Sequence, residues 1–124
     1  MINPPKTPKT ERLRLRKVKP TDAGAIFHEY AQDPEVTKYV SWQAHQNLDE
    51  TRDYVRSCLL AWETGKAFNW VIEHRQENRH MGMIIARVNP EKWELGFVLS
   101  RRYWGEGYMT EAVKAVVDWA QRRG

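Results

Sequence analysis

Three apolar stretches fall within residues 68–99, and their spacing limits the folds open to this chain. Phe68, Trp70 and Ile72 alternate with Asn69, Val71 and Glu73. Residues 81–88 are almost continuously apolar. Trp93, Leu95, Phe97 and Leu99 alternate with Glu94, Gly96, Val98 and Ser100. A period of two puts successive side chains on opposite faces of a strand. The connectors are a polar turn at residues 76–80 and Asn89-Pro90-Glu91. Connections this short join antiparallel neighbours, because a parallel crossover needs a dozen or more residues. The expected unit is a three-stranded meander with a central middle strand.

Upstream, Arg12-Leu13-Arg14-Leu15-Arg16 places leucines on one face and arginines on the other, a half-buried strand. Lys19-Pro20-Thr21-Asp22 then opens a helix, with Thr21 expected at the N-cap and Asp22 in the first turn. That helix carries Ala25, Ile26, Phe27 and Tyr30 and stops at Asp33-Pro34, where a short helix follows. Residues 40–46 read as loop. Asn47 and Glu50 form a capping-box pattern ahead of a helix whose apolar face holds Tyr54, Val55, Cys58, Leu59 and Trp62. Gly65 suits its C-terminal cap. At the other end of the chain, Met109, Ala112, Val113, Val116, Val117 and Ala120 follow helical spacing. Strands and helices in this order make an α+β layered fold.

A chain of 124 residues is the size of one domain. We expect a tail over residues 1–10 and one domain over residues 11–124. A hydrophobic fraction of 41% excludes disorder of the whole chain. One cysteine excludes an internal disulfide framework and a cysteine-rich zinc module. No apolar run reaches membrane-spanning length, and no apolar leader opens the sequence, so a cytoplasmic protein is expected. The net charge of +4 permits an anionic partner. It is small for a dedicated nucleic-acid binder, and no nucleic-acid motif is present. His28, His45, His74 and His80 lack metal-ligand spacing, so no metal is assigned. Cys58 reads as a core residue.

The chemistry concentrates in Arg102-Tyr103-Trp104-Gly105-Glu106-Gly107, between the last strand and the last helix. A helix start has unpaired N–H groups and a partial positive charge, and two glycines let the backbone curl around a ligand. With Arg101 and Arg102 nearby, this suits a phosphate or pyrophosphate. A tight strand-to-helix turn that needs glycine for sterics alone fits the same residues. The Walker pattern is absent. The dinucleotide pattern lacks its third glycine, since Thr110 stands there.

The run Trp93-Glu94-Leu95-Gly96-Phe97-Val98-Leu99, then Arg102-x-x-Gly105-x-Gly107-Tyr108-Met109-Thr110-Glu111-Ala112, resembles the acetyl-CoA-binding motif of the GNAT N-acetyltransferases. The opening Thr10-Glu11-Arg12-Leu13-Arg14-Leu15-Arg16, with Thr21-Asp22-Ala23, is similar to the RimJ/RimL-type subgroup. The resemblance implies a largely antiparallel sheet flanked by helices, acetyl-CoA as co-substrate, and acetyl transfer to a primary amine. It implies that Arg102, Tyr103, Trp104, Gly105, Glu106, Gly107 and Tyr108 hold the pyrophosphate. It also implies that Phe97, Val98 and Leu99 carry the pantetheine arm. Direct attack on the thioester needs a base, and Glu94 is the candidate, with Glu73 second. Tyr39, Trp42 and His45 lie where the acceptor is shaped, and Tyr39 and Trp42 are the substrate candidates.

Family domains continue past this helix with a strand, a helix and two more strands, whereas this sequence ends at Gly124. The C-terminal strands are therefore expected to be missing, together with the residue that protonates the leaving thiolate. An open strand edge invites pairing, so a homo-oligomer, with strand exchange as one form, is the expected assembly. The rival readings are a non-catalytic CoA-binding module and, less favoured, a basic nucleic-acid-binding domain.

Overall fold

A computed structural model describes residues 8–38, 40 and 42–123, without the side chains of residues 122 and 123. Four strands form one sheet in the order β1-β2-β3-β4, each antiparallel to its neighbour. They are β1 (Leu13–Lys17), β2 (Ala67–His74), β3 (Arg79–Val88) and β4 (Trp93–Leu99). The expected meander is present, with β1 added beside β2.

Each sheet face has its own core. Leu13, Leu15, Trp70, Ile72 and Ile84 meet helix α4 (Tyr108–Arg123) through Ala112, Val116 and Trp119. Trp119 packs edge-on against Phe68, Trp70 and Trp93. On the other face, Val71, Met83 and Val98 meet Ile26, Tyr30, Val55 and Cys58. These come from α1 (Ala23–Ile26), the π-turn that continues it (Phe27–Ala31) and α3 (Leu48–Glu63). β2 and β3 are buried on both sides, which explains why their sequences lose clean alternation.

Helix ends follow local chemistry with one correction. Thr21 is not the N-cap. The chain enters through a 3₁₀ turn (Pro20–Asp22) with Lys19 in that place, and the Asp22 carboxylate accepts the Lys19 N–H at 2.8 Å. Asp33 caps α2 (Pro34–Thr37) by accepting the Glu35 N–H at 3.0 Å. Asn47 caps α3 by accepting the Glu50 N–H, while the Glu50 carboxylate reaches back to the Gln46 N–H. Gly65 follows α3 with φ of 73°.

Residues 8–10, which the sequence assigns to the tail, lie against the sheet. Lys9 bridges Arg14, and the Pro8 carbonyl accepts the Leu15 N–H at 2.8 Å. Residues 1–7 lie outside the described residues.

Candidate functional site

β4 is the last strand of the sheet among the described residues, so one of its edges is open. Ser100 donates its N–H to the Met81 carbonyl at 2.8 Å, and Val98 stands opposite Met83. Antiparallel alternation then turns the backbone groups of Phe97 and Leu99 toward the open edge. The Leu99 carbonyl is used there: the Trp104 indole donates to it at 2.8 Å.

After β4 the chain makes a 3₁₀ turn (Arg101–Tyr103) and enters α4 through Gly105 and Gly107. Their φ angles are 82° and 79°, a region that strains residues bearing a Cβ. Glycine is therefore required by backbone conformation at both positions. The first N–H groups of α4 have no intrahelical acceptors and point out of the helix start.

These pieces enclose a cleft of about 530 Å³. Phe97, Val98 and Leu99 line it from β4, and Tyr103, Trp104, Gly105 and Gly107 from the loop. Tyr108, Met109 and Thr110 form the helix side, and Val36 and Val40 close the far wall. Eight of the ten residues assigned to the cofactor thus face one space. Arg102 and Glu106 do not line it. Arg102 pairs with Glu29 at 3.2 Å, and the Glu106 carbonyl accepts from Arg12 at 3.0 Å. Arg101 is held by Asp33 at 2.6 Å. The loop therefore offers a ligand mainly backbone N–H groups and the helix dipole, a set suited to a pyrophosphate.

The loop is clamped from the start of the domain. Arg12 donates from Nε to Glu111 Oε1 at 2.7 Å, and its guanidinium lies 4.2 Å from the Tyr108 ring centre. Glu111 also accepts the Arg12 N–H at 2.9 Å and the Thr10 hydroxyl. Burial alone raises the Glu111 carboxyl, but these donors outweigh it and hold it below its usual range. Both residues stand in the motifs read from the sequence, yet no local pattern joins them.

A second cavity, of about 270 Å³, adjoins the first and shares Val40, Phe97 and Val98 with it. Trp42, Tyr54, Ile85, Arg87, Leu95 and Gly96 complete its wall. Trp42 is the substrate candidate found here, packed at a tilt against His45 and Tyr54 with ring centres 4.9 and 5.5 Å away. His45 Nδ1 lies 2.7 Å from the Thr51 hydroxyl, and burial lowers its pKa. Tyr39 lies outside the described residues. Arg87 and Tyr54 were not foreseen. An isolated arginine near the end of an apolar strand was the signal available for Arg87.

Glu94 is exposed and lines neither cavity. It shares a sheet face with Gly96 and Val98 and sits opposite Arg87. At roughly 3.3 Å per residue it lies about 10 Å along the strand from Phe97. Glu73 is differently placed. It accepts from Arg14 at 3.0 Å and from Arg16 at 2.9 Å, and Arg16 also grips Asp22 at 2.6 Å. Burial raises both carboxyls, but the guanidiniums win and hold each below its usual range. Among the described residues, no group of three or more His, Cys, Asp or Glu is placed to hold a metal ion. No helix of the described residues is long and apolar enough to cross a membrane.

Comparison with known proteins agrees with this geometry. The family model for the acetyltransferase (GNAT) domain matches residues 12–124. An uncharacterized N-acetyltransferase, p20, from Bacillus licheniformis is 32% identical over 114 residues, which is 89% of this chain and 63% of that protein. The chain thus spans less than two thirds of that relative's length. A GNAT-family acetyltransferase structure from Bacillus anthracis is 29% identical with a TM-score of 0.80, covering 94% of this chain and 67% of that one. RimL, a ribosomal L7/L12 alpha-N-protein acetyltransferase solved with coenzyme A, shares the fold at a TM-score of 0.85 and 21% identity, covering 95% and 69%. With its antiparallel sheet, its glycine-bearing strand-to-helix loop and a family match across nearly its whole length, the chain belongs to the GNAT acetyltransferase family.

Proposed function

We propose that this chain transfers an acetyl group from acetyl-CoA to a primary amine, a protein N-terminus or a small molecule, in the manner of the RimJ/RimL-type enzymes. One observation carries the reading. The open edge of β4, the two positive-φ glycines and the start of α4 face a single cleft. In this reading the pyrophosphate rests on the backbone of residues 104–108, with Arg102 and Glu106 flanking it. The pantetheine arm follows Phe97, Val98 and Leu99.

The neutral amine attacks the thioester carbonyl. A nitrogen–carbon bond forms, the carbon–sulfur bond breaks, and CoA leaves as a thiolate that takes up a proton. The outward N–H of Phe97 is placed to polarise the carbonyl, as an oxyanion donor does. Glu94 receives the amine proton through water. Trp42 and Tyr39 shape the acceptor. The reaction belongs in the cytoplasm, a reducing compartment compatible with the buried free thiol of Cys58.

The test is release of CoA thiol from acetyl-CoA over a panel of amines. Amine-dependent release, slowed in Glu94→Gln, supports the reading. A folded chain that binds acetyl-CoA and turns over no amine would instead be a CoA-binding module. The open edge of β4 supports pairing with a second copy, including by strand exchange. Sedimentation showing only monomer at high concentration would overturn that part.

A further inference from the structure

The wall that faces β4 across the cofactor cleft is joined to the glycine loop by two ion pairs. Val36 and Val40 form that wall, and Val36 belongs to α2, a helix of four residues. A helix this short is not held by propensity, so its place depends on outside contacts. Asp33 supplies them. One of its carboxylate oxygens caps α2 by accepting the Glu35 N–H at 3.0 Å, and the other accepts from Arg101 Nε at 2.6 Å. Four residues earlier, Glu29 pairs with Arg102 at 3.2 Å and lies 3.9 Å from Arg79 of β3. Consecutive arginines after β4 thus meet two acids spaced i and i+4 on the opposite segment.

Exposed ion pairs usually contribute little, because long side chains lose entropy and water screens the charges. These acids are not exposed in that way. The side chains of Asp33 and Glu29 are each 18% exposed, and both Asp33 oxygens have donors. Neither arginine lines the cleft. Their contacts join its two sides instead.

We infer that Asp33 and Glu29 are positioning residues for the cofactor: with Arg101 and Arg102 they form a clasp that holds α2 against the glycine loop and sets the width of the cleft. They touch no ligand and act through Val36 and Val40. Val40 also borders the second cavity, so the clasp sets that space too. The inference rests on the acetyl-transfer reading for the identity of the ligand.

Charge alone and the clasp predict opposite signs. Acetyl-CoA is an anion. Removing a carboxylate near the loop, and freeing an arginine there, would tighten its binding by Coulomb attraction. Losing the clasp would weaken it. Asp33→Asn separates the two, since asparagine caps a helix as well as aspartate does. With its oxygen on the Glu35 N–H, its amide nitrogen cannot accept from Arg101. Glu29→Gln applies the same sign test without touching a helix cap, so it decides the matter if Asp33→Asn does not fold.

The experiment is calorimetric titration with acetyl-CoA of wild type, Asp33→Asn, Glu29→Gln, Arg101→Gln and the Asp33→Asn/Arg101→Gln double variant. Far-ultraviolet circular dichroism checks that each is folded. Each single variant is expected to bind about threefold to tenfold more weakly, and the double variant no more weakly than the worse of its two singles. Hydrogen exchange at residues 35–38 should be faster in Asp33→Asn, and acetyl-CoA should slow it less than in wild type. Tighter or unchanged binding in Asp33→Asn and Glu29→Gln, or losses that add in the double variant, would overturn the clasp alone. A folded wild-type chain that binds no acetyl-CoA would overturn the acetyl-transfer reading and the clasp with it.

Discussion

Arg12 and Glu111 are 99 residues apart in the chain, and their side chains meet at 2.7 Å beside the glycine loop. The residue that leads into β1 is thereby tied to the first turn of α4. Arg12 also holds the Glu106 carbonyl at 3.0 Å, and its guanidinium comes within 3.6 Å of where a Cβ on Gly107 would lie. Arg12 alone therefore ties the glycine loop, at the Glu106 carbonyl, to the first turn of α4. Breaking the clamp with Glu111→Gln or Arg12→Ala is expected to weaken acetyl-CoA binding more than it lowers the melting temperature. Hydrogen exchange should show faster exchange at residues 105–111. Slower or unchanged exchange there would show that the clamp does not order the loop.

The join between β3 and β4 has no spare room at Gly82. A Cβ at that position would sit 2.1 Å from the Val98 carbonyl oxygen and 2.9 Å from the Leu99 Cα, both backbone atoms. Backbone cannot step aside as a side chain can. Gly82→Ala is expected to cost about 1–3 kcal/mol or more in chemical denaturation, as overpacked sites do. It should also shift the strand that carries Phe97 and Val98.

His80 makes the fold acid-sensitive. It is buried between Tyr30, whose hydroxyl lies 2.9 Å from Nε2, and the Arg16–Asp22–Glu73 cluster. Burial lowers its pKa from 6.5 to about 4, with Asp22 and Glu73 opposing and Arg16 assisting. A histidine held neutral in this way contributes its full stability above pH 6.5. The contribution is lost as pH falls toward about 4, and it amounts to an upper bound of roughly 3 kcal/mol. Asp22 and Glu73, held below their usual values, add a separate loss that sets in as pH falls through the ordinary carboxylate range. Urea midpoints measured from pH 8 to pH 4 should fall in wild type and fall less above pH 4.5 in His80→Gln, with the remaining slope there attributed to His45.

Glu94 tests the chemical step apart from binding. Glu94→Gln is expected to slow acetyl transfer by about 10²–10⁴-fold, the usual contribution of a general base. Acetyl-CoA affinity should hold, since Glu94 lines neither cavity. An unchanged rate would pass the role of base to another group or to solvent.

The sequence carried the sheet well because burial is periodic. Leu13 and Leu15 alternate with arginines and lie fully buried, and the α4 stripe places Ala112 and Val116 in the core. Gly105 and Gly107 were legible because positive φ restricts residue type. Side-chain pairing was not legible. Arg102 reads as a phosphate ligand from its place beside the loop, yet it reaches Glu29 on another element. Thr21 looks like a cap, but Asp22, one residue on, bonds both the Lys19 N–H and Arg16. Glu73 reads as a free strand carboxylate, yet it is paired with Arg14 and Arg16. Arg102 and Glu73 depend on partners that only the folded chain brings near, while the Asp22 contacts are short in sequence but carry no pattern that separates them from a Thr21 cap. Arg87 and Tyr54 belong to the same class, joined in one cavity by β3 and α3.

The most direct test of the account is a calorimetric titration of the 124-residue chain with acetyl-CoA, beside Gly105→Val and Gly107→Val. Left-handed backbone costs a residue with a Cβ roughly 1–2 kcal/mol, so each variant should still fold while its loop is misplaced. The expected result is saturable one-site binding in wild type that is lost in both variants. A folded wild-type chain that gives no binding heat, or binding that both variants leave intact, would contradict the claim that this loop holds the cofactor.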